Sequence, residues 1–98
     1  MKTQPFDPAA YLDDPESLAA YLSEALATEA PAFIADALGV VARARGMSEI
    51  ARESGLSRES LYRALSPDGN PEFATILRVV RAIGLRLSTT PIEEQKIA

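Results

Sequence analysis

The chain has 98 residues, 47% of them hydrophobic, with a formal net charge of −4 and no cysteine or histidine. This length predicts one domain with a modest core, because small domains bury a limited share of their surface. The missing residue types exclude disulfides, the usual zinc sites and Ser-His catalysis.

The sequence has no run of ~20 apolar residues, the length that would be needed to cross a membrane. It also shows no secretion leader, in which basic and then apolar residues are followed by a small-residue cleavage site. The composition therefore favours a cytoplasmic binding protein with no membrane partner. We expect no cofactor, no metal and no catalytic residue.

Positive and negative charges occupy different parts of the chain. Residues 1–42 hold one Lys against seven acidic residues, residues 43–86 hold eight Arg against five, and residues 87–98 hold one Lys against two. The middle of the chain is therefore suited to binding phosphate, whereas the acidic N-terminal segment is suited to a different partner that is not phosphate.

The N-terminal part predicts an arm and two helices. Residues 1–13 show no clear period and are interpreted as an extended arm. Residues 14–45 are interpreted as two helices, because Asp14-Pro15-Glu16 and Pro31 are typical helix starts. The inward residues expected for them are Leu18, Leu22, Ala25, Leu26, Phe33, Ile34, Ala37, Leu38 and Val41.

The second helix has one glycine in its middle and one at its predicted end. Gly46 is expected to end it. Gly39 in its middle should weaken it by roughly 1 kcal/mol unless close packing requires a glycine there.

Residues 46–66 predict a helix-turn-helix. Ala51 allows two helices to approach, and Gly55 is expected to end the first helix in a left-handed conformation. Leu56 fills the corner, and Ser57 can cap the second helix. Leu61 and Leu65 then face inward at i, i+4 spacing. A helical corner that only packs would explain the same residues without DNA.

A loop, a last helix and a strand complete the predicted order. Residues 71–84 are interpreted as a helix that Asn70 caps and Pro71 opens. Its expected inward stripe is Phe73, Ile76, Leu77, Val80 and Ile83. Residues 85–89 alternate apolar and polar, which predicts a short strand. Because a single strand has no partner within a helical domain, we expect it to pair with a second copy through Leu85, Leu87 and Ser88. Residues 90–98 are expected to form a tail.

These segments resemble a known family. The stretch RARGMSEIARESGLSRESLYRALSPDGNPEFATILRVVRAIGLRL resembles Cro/C1-type helix-turn-helix domains, and its most distinctive parts are GLSRESLYRALS and GNPEFATILRVVRAIGL. Together with FDPAAYL, ESLAAYLSEAL and PAFIADALGVVARARGM it looks most like addiction-module antidote proteins. The resemblance covers nearly the whole chain. It implies an all-α, five-helix, lambda-repressor-like DNA-binding domain with a short C-terminal strand.

The same resemblance implies partners. The protein would be the antitoxin of a type II toxin–antitoxin pair, would neutralise a small basic RelE/ParE-like toxin, and would repress its own operon. We expect Phe6, Tyr11, Leu12, Asp13 and Asp14 to bind the toxin. Asp13, Asp14 and Glu16 could look like a metal or catalytic cluster, but we interpret them as a solvated helix start.

Two positions depart from the pattern of these domains. Many of them have Gln, which touches a phosphate, where Met47 stands here, so Ser48 or the helix N-terminus would have to replace that contact. Many also start the recognition helix with Gln, where Arg58 stands here. Arginine at that place would favour guanine over adenine.

The outward face of the second motif helix supplies the main DNA-contact candidates. Arg58 and Arg63 could reach base edges or phosphates, or remain solvated. Glu59 could accept from a cytosine amino group or only stabilise the first turn. Tyr62 could stack on DNA or cover the edge of the core. Further candidates, for which surface charge or capping is the alternative, are Arg45, Ser48, Arg52, Ser57, Ser60, Ser66 and Asn70.

Four function classes follow from these observations. The first is an antitoxin and autorepressor that binds a palindromic double-stranded operator as a homodimer. The second is a stand-alone Cro/C1-type regulator without a toxin. The third is a helical interaction module that binds no nucleic acid. An enzyme is the weakest interpretation, because the sequence has no nucleophile–base pair and no Gly-rich phosphate loop.

Overall fold

The computed structural model describes residues 14–92, which form five helices and no strand. We number the helices in chain order. They are α1 (Pro15–Ala27), α2 (Pro31–Arg45), α3 (Met47–Ser54), α4 (Arg58–Ala64) and α5 (Phe73–Ile83). None of these helices is long and apolar enough to span a bilayer.

The helix ends follow local chemistry. The Asp14 carboxylate accepts from the Ser17 backbone N–H at 2.7 Å, and Pro15 occupies the first turn of α1. Pro31 likewise lies in the first turn of α2, whose last residue, Arg45, is followed by Gly46. These predicted boundaries are confirmed.

Helix α2 is central to the packing. It contacts α1, α3 and α5, and α3 in turn contacts α4 and α5. The side chains that are most completely buried come from α1, α2, α4 and α5, or from the residue just after α4. They are Leu18, Val41, Leu61, Leu65, Val79 and Ile83.

Gly39 lies where α2 meets the end of α4. A Cβ atom at this position would lie 2.8 Å from the Leu65 carbonyl oxygen and 3.2 Å from Arg43 Nη1. The first of these distances is shorter than a real Cβ contact, so only glycine allows the two backbones to approach this closely. Close packing therefore accounts for the glycine inside α2.

The predicted start of the last helix is wrong. Asn70 and Pro71 lie before α5, which begins at Phe73 with Glu72 at its N-cap and no side-chain capping bond. The predicted inward stripe is also partly wrong, because Phe73 is 69% exposed and Leu77 44% exposed. Val79 is fully buried instead. The packed arc of α5 is centred on Val79, Val80 and Ile83, the side that meets α2 and α3.

Two apolar residues of the first helices are more exposed than predicted. Phe33 is 54% exposed and Leu26 is 38% exposed, although both recur at helical spacing. Periodicity identifies the apolar side of a helix but does not determine how far the neighbouring helices cover it.

The predicted strand at 85–89 is also wrong for this chain. The segment is not helical and has no ladder partner among residues 14–92. The Leu85 N–H donates to the Val80 carbonyl at 3.0 Å, which closes the end of α5 instead. Leu85 and Leu87 are partly buried against the core.

Candidate nucleic-acid interface

A three-residue turn joins α3 to α4. Gly55 has φ +80°, and the N–H groups of Gly55 and Leu56 donate to the Ala51 carbonyl at 3.0 and 3.1 Å. Leu56 packs against the core. The Ser57 hydroxyl oxygen accepts from the Ser60 N–H at 3.0 Å. The predicted left-handed helix end, corner residue and cap are confirmed.

Helix α4 has one buried side and one exposed side. Leu61 is fully buried, and Leu65, which follows the helix, is 1% exposed. The opposite side presents Arg58, Glu59, Tyr62 and Arg63, all of them exposed. The helix is anchored by its leucines and leaves its longest polar side chains free to contact a ligand.

Arg58 and Tyr62 contact each other on this exposed side. Arg58 Nη2 donates to the Tyr62 hydroxyl oxygen at 3.3 Å. The guanidinium carbon also lies 5.6 Å from the centroid of the tyrosine ring, within the range of a cation–π contact. Neither alternative for Tyr62 anticipated this pairing, although the i, i+4 spacing of a cation and an aromatic residue could have indicated it.

An open hollow lies beside α4. The structure brings together here four of the predicted DNA contacts, Ser60, Arg63, Ser66 and Asn70. The Ser66 hydroxyl donates to the Arg63 carbonyl at 3.1 Å, so this serine also closes the end of the helix. Asp68 lines the same hollow and places a negative charge there that was not among the predicted site residues.

Gly69 fixes the wall of this hollow. A Cβ atom at Gly69 would meet the Arg63 carbonyl oxygen at 2.6 Å and would come closer still to that of Ala64. The Gly69 N–H donates to the Ser66 carbonyl at 2.8 Å. The loop after α4 is therefore packed backbone to backbone against the last turn of that helix.

Helix α3 offers a second group of candidates, Ser48 in its first turn and Arg52 in its last. Ser48 and Arg52 are exposed, whereas Met47 is buried in the core. Gly46 at the N-cap provides no side-chain bond to the first N–H groups of the helix. Ser48 and the uncapped first turn are therefore the groups available there, and Met47 is not.

Arg45, the last residue of α2, makes a tertiary contact. Its Nη2 donates to the Ile83 carbonyl at 3.0 Å, which ties the end of α2 to the end of α5. It lines a hollow together with Asp14, Pro15 and Leu85. The structure thus gives Arg45 a tertiary bond that neither the phosphate prediction nor its surface-charge alternative foresaw.

The three residues predicted to join two copies lie together. Leu85, Leu87 and Ser88 line one groove with apolar side chains from α1, α2 and α5. The groove also includes Arg86, which the sequence interpretation did not single out.

Phe6, Tyr11, Leu12 and Asp13, predicted to bind a toxin, lie outside the described residues. Asp14 is exposed at the start of α1. Within residues 14–92 no three potential metal ligands come together.

Comparison with known proteins gives one family and one relative. A family model described as "probable addiction module antidote protein" matches residues 2–91. A protein of Haemophilus influenzae, described as uncharacterized, is 49% identical over 81 residues, which cover 83% of this chain and 84% of that protein. No solved structure matches the chain.

Proposed function

The chain belongs to the family of probable addiction module antidote proteins, and from this premise we propose that it is the DNA-binding antitoxin of a type II toxin–antitoxin pair. In this proposal the chain is one lambda-repressor-like domain of Cro/C1 type that acts in the cytoplasm. It neutralises a RelE/ParE-like toxin and represses the operon that encodes both proteins.

The exposed side of α4 is the observation that carries DNA binding. The leucine of this helix is buried, its arginines are exposed, and the helix follows the tight Gly55 turn. A recognition helix enters the major groove in this arrangement. Arg58 and Glu59 would read base edges, and Arg52 and Arg63 would contact phosphates. In the hollow beside α4, Arg63 and Asn70 would offer donors to a backbone phosphate, against the negative charge of Asp68 and with the Ser66 hydroxyl already donating to the Arg63 carbonyl.

A homodimer would place two copies of α4 in successive major grooves of a palindromic operator, ~34 Å apart. Its support is the groove that Leu85, Leu87 and Ser88 share. Apolar grooves on small domains are commonly covered by a partner, and a C2 dimer covers both copies at once.

The acidic N-terminal part supports a basic protein partner. Between residues 14 and 42 the chain has five acidic residues and no Lys or Arg. Asp14, Glu16, Glu24 and Glu29 are exposed, and Asp36 is half-buried. Asp14, together with Phe6, Tyr11, Leu12 and Asp13, would contact the toxin. Opposite charge would steer the two proteins together.

DNA binding is tested by a gel-shift titration on the region upstream of the gene. We expect a discrete shift that Arg58→Ala/Arg63→Ala abolishes. The matched control is Arg78→Ala/Arg81→Ala, which removes the same charge from exposed positions of α5. Equal losses in the two double variants would mean that net charge alone binds the DNA. No shift of the wild type at low salt would refute DNA binding.

The toxin is tested by expressing the protein with the small gene beside it and purifying the complex. A stable complex that protects cells from the neighbouring product supports the antitoxin. The alternative, a stand-alone regulator, predicts operator binding without any such complex.

A further inference from the structure

Arg58 needs a fixed position to distinguish bases. An exposed arginine side chain has many rotamers. Each such side chain that must be immobilised when a complex forms lowers the affinity of that complex. The fork of the guanidinium discriminates only when two of its donors meet two acceptors on one base.

We propose that Tyr62 is a positioning residue that holds the Arg58 guanidinium in place for recognition of guanine. This inference rests on the proposed DNA-binding function. It uses the two contacts already described, the bond from Arg58 Nη2 to the Tyr62 hydroxyl oxygen and the placement of the guanidinium near the ring. One contact fixes the end of the side chain, and the other limits its movement away from the helix.

The pairing leaves Arg58 able to read a base. Nη2 carries two protons, one on each forked edge of the guanidinium. Whichever of them Tyr62 accepts, the other edge keeps two parallel donors, the pattern that matches O6 and N7 of guanine.

The pair also stays accessible. Tyr62 is 44% exposed and Arg58 is exposed, so the pair can enter a groove without rearrangement of the core. Because the Tyr62 hydroxyl accepts from Arg58, it needs no DNA group in order to hold the guanidinium.

A double-mutant cycle on DNA binding tests the inference. The probe is a labelled duplex carrying the region upstream of the gene, with a shuffled duplex of the same composition for comparison. Tyr62→Phe removes the hydroxyl but keeps the ring, and Tyr62→Leu removes both contacts. Each is measured alone and with Arg58→Ala. Because the changes are on the surface, unchanged melting temperatures serve as the folding control.

We expect Tyr62→Phe to weaken binding to the upstream duplex by up to about tenfold, because the Arg58 side chain would then have to be immobilised when the DNA binds. Tyr62→Leu should weaken it further. Neither change should alter binding to the shuffled duplex, and neither should have any effect once Arg58 is alanine.

Three results would overturn the inference. Equal effects of Tyr62→Phe with and without Arg58 would mean that Tyr62 contacts DNA directly. No effect of either Tyr62 variant would mean that Arg58 needs no support. Wild-type affinity of Arg58→Ala would remove Arg58 as a reader while DNA binding itself stands. In contrast, a wild type that does not distinguish the two duplexes would refute the proposed function itself.

Discussion

Replacement of Gly39 by alanine sets two effects of known size against each other. Alanine in the middle of a helix is favoured over glycine by roughly 1 kcal/mol. Against this, the added Cβ would lie 2.8 Å from the Leu65 carbonyl oxygen, whereas ordinary contact begins at 3.4 Å. Arg43 Nη1, at 3.2 Å, is the end of a flexible side chain and can move.

The Leu65 carbonyl cannot move as easily, because it follows α4 and belongs to a residue whose side chain is only 1% exposed. Overpacking of this kind destabilises by about 1–3 kcal/mol. The clash therefore exceeds the gain in helix propensity, and we expect Gly39→Ala to lower the free energy of unfolding by about 1 kcal/mol. In a domain of this size that corresponds to a decrease in Tm of about 4–8 °C.

Urea denaturation followed by circular dichroism measures the effect. Ala20→Gly is the matched control, since Ala20 is exposed in the middle of α1 and reports the propensity difference alone, again roughly 1 kcal/mol. If Gly39→Ala instead stabilised the protein by as much as Ala20→Gly destabilises it, the close approach of α2 to the end of α4 would be refuted.

Two further predictions concern the loop after α4 and a partly buried tyrosine. Gly69→Ala, which has no propensity gain to offset its clash with the Arg63 and Ala64 carbonyls, should destabilise by about 1–3 kcal/mol in the same urea assay; unchanged stability would contradict that packing. Burial, and to a smaller extent the Asp36 carboxylate, raises the pKa of Tyr21. The contribution of Tyr21 to the free energy of unfolding is therefore complete below about pH 10, the ordinary pKa of tyrosine. It is lost as the pH rises through the raised pKa of the folded protein. Tyr21→Phe should therefore lose less stability than the wild type in alkaline urea titrations, and equal losses would contradict the shift.

The caps of α1 and α4 and the turn between α3 and α4 were predictable because their chemistry is local. Asp14, Gly55 and Ser57 act on N–H and C=O groups within a few residues of themselves, so the sequence alone contains both partners of each bond. The i, i+4 pair Leu61 and Leu65 was equally predictable, because the same spacing defines the buried side of any short helix.

What could not be predicted depends on partners far away in the chain. The bond from Arg45 to the Ile83 carbonyl joins residues 38 positions apart, and no pattern around Arg45 indicates it. The contact that explains Gly39 joins α2 to the residue after α4. Phe73 and Leu77 follow the apolar period of α5 but lie beyond the area that α2 and α3 cover. The strand prediction was wrong because the Leu85 N–H bonds the Val80 carbonyl and closes the end of α5, a bond that the alternation of apolar and polar residues does not indicate.

The orientation of α4 depends on the two glycine positions at which backbone meets backbone. Gly39 holds the end of α4 against α2, and Gly69 holds the following loop against its last turn. Helix α2 also contacts α5, whose C-terminal extension borders the groove proposed to join two copies. In the proposed dimer, the separation of the two recognition helices is therefore set through these contacts. By symmetry, a tilt of α4 within one copy is repeated in the other copy. A palindromic operator with fixed half-site spacing therefore requires that α4 keeps one orientation within each copy.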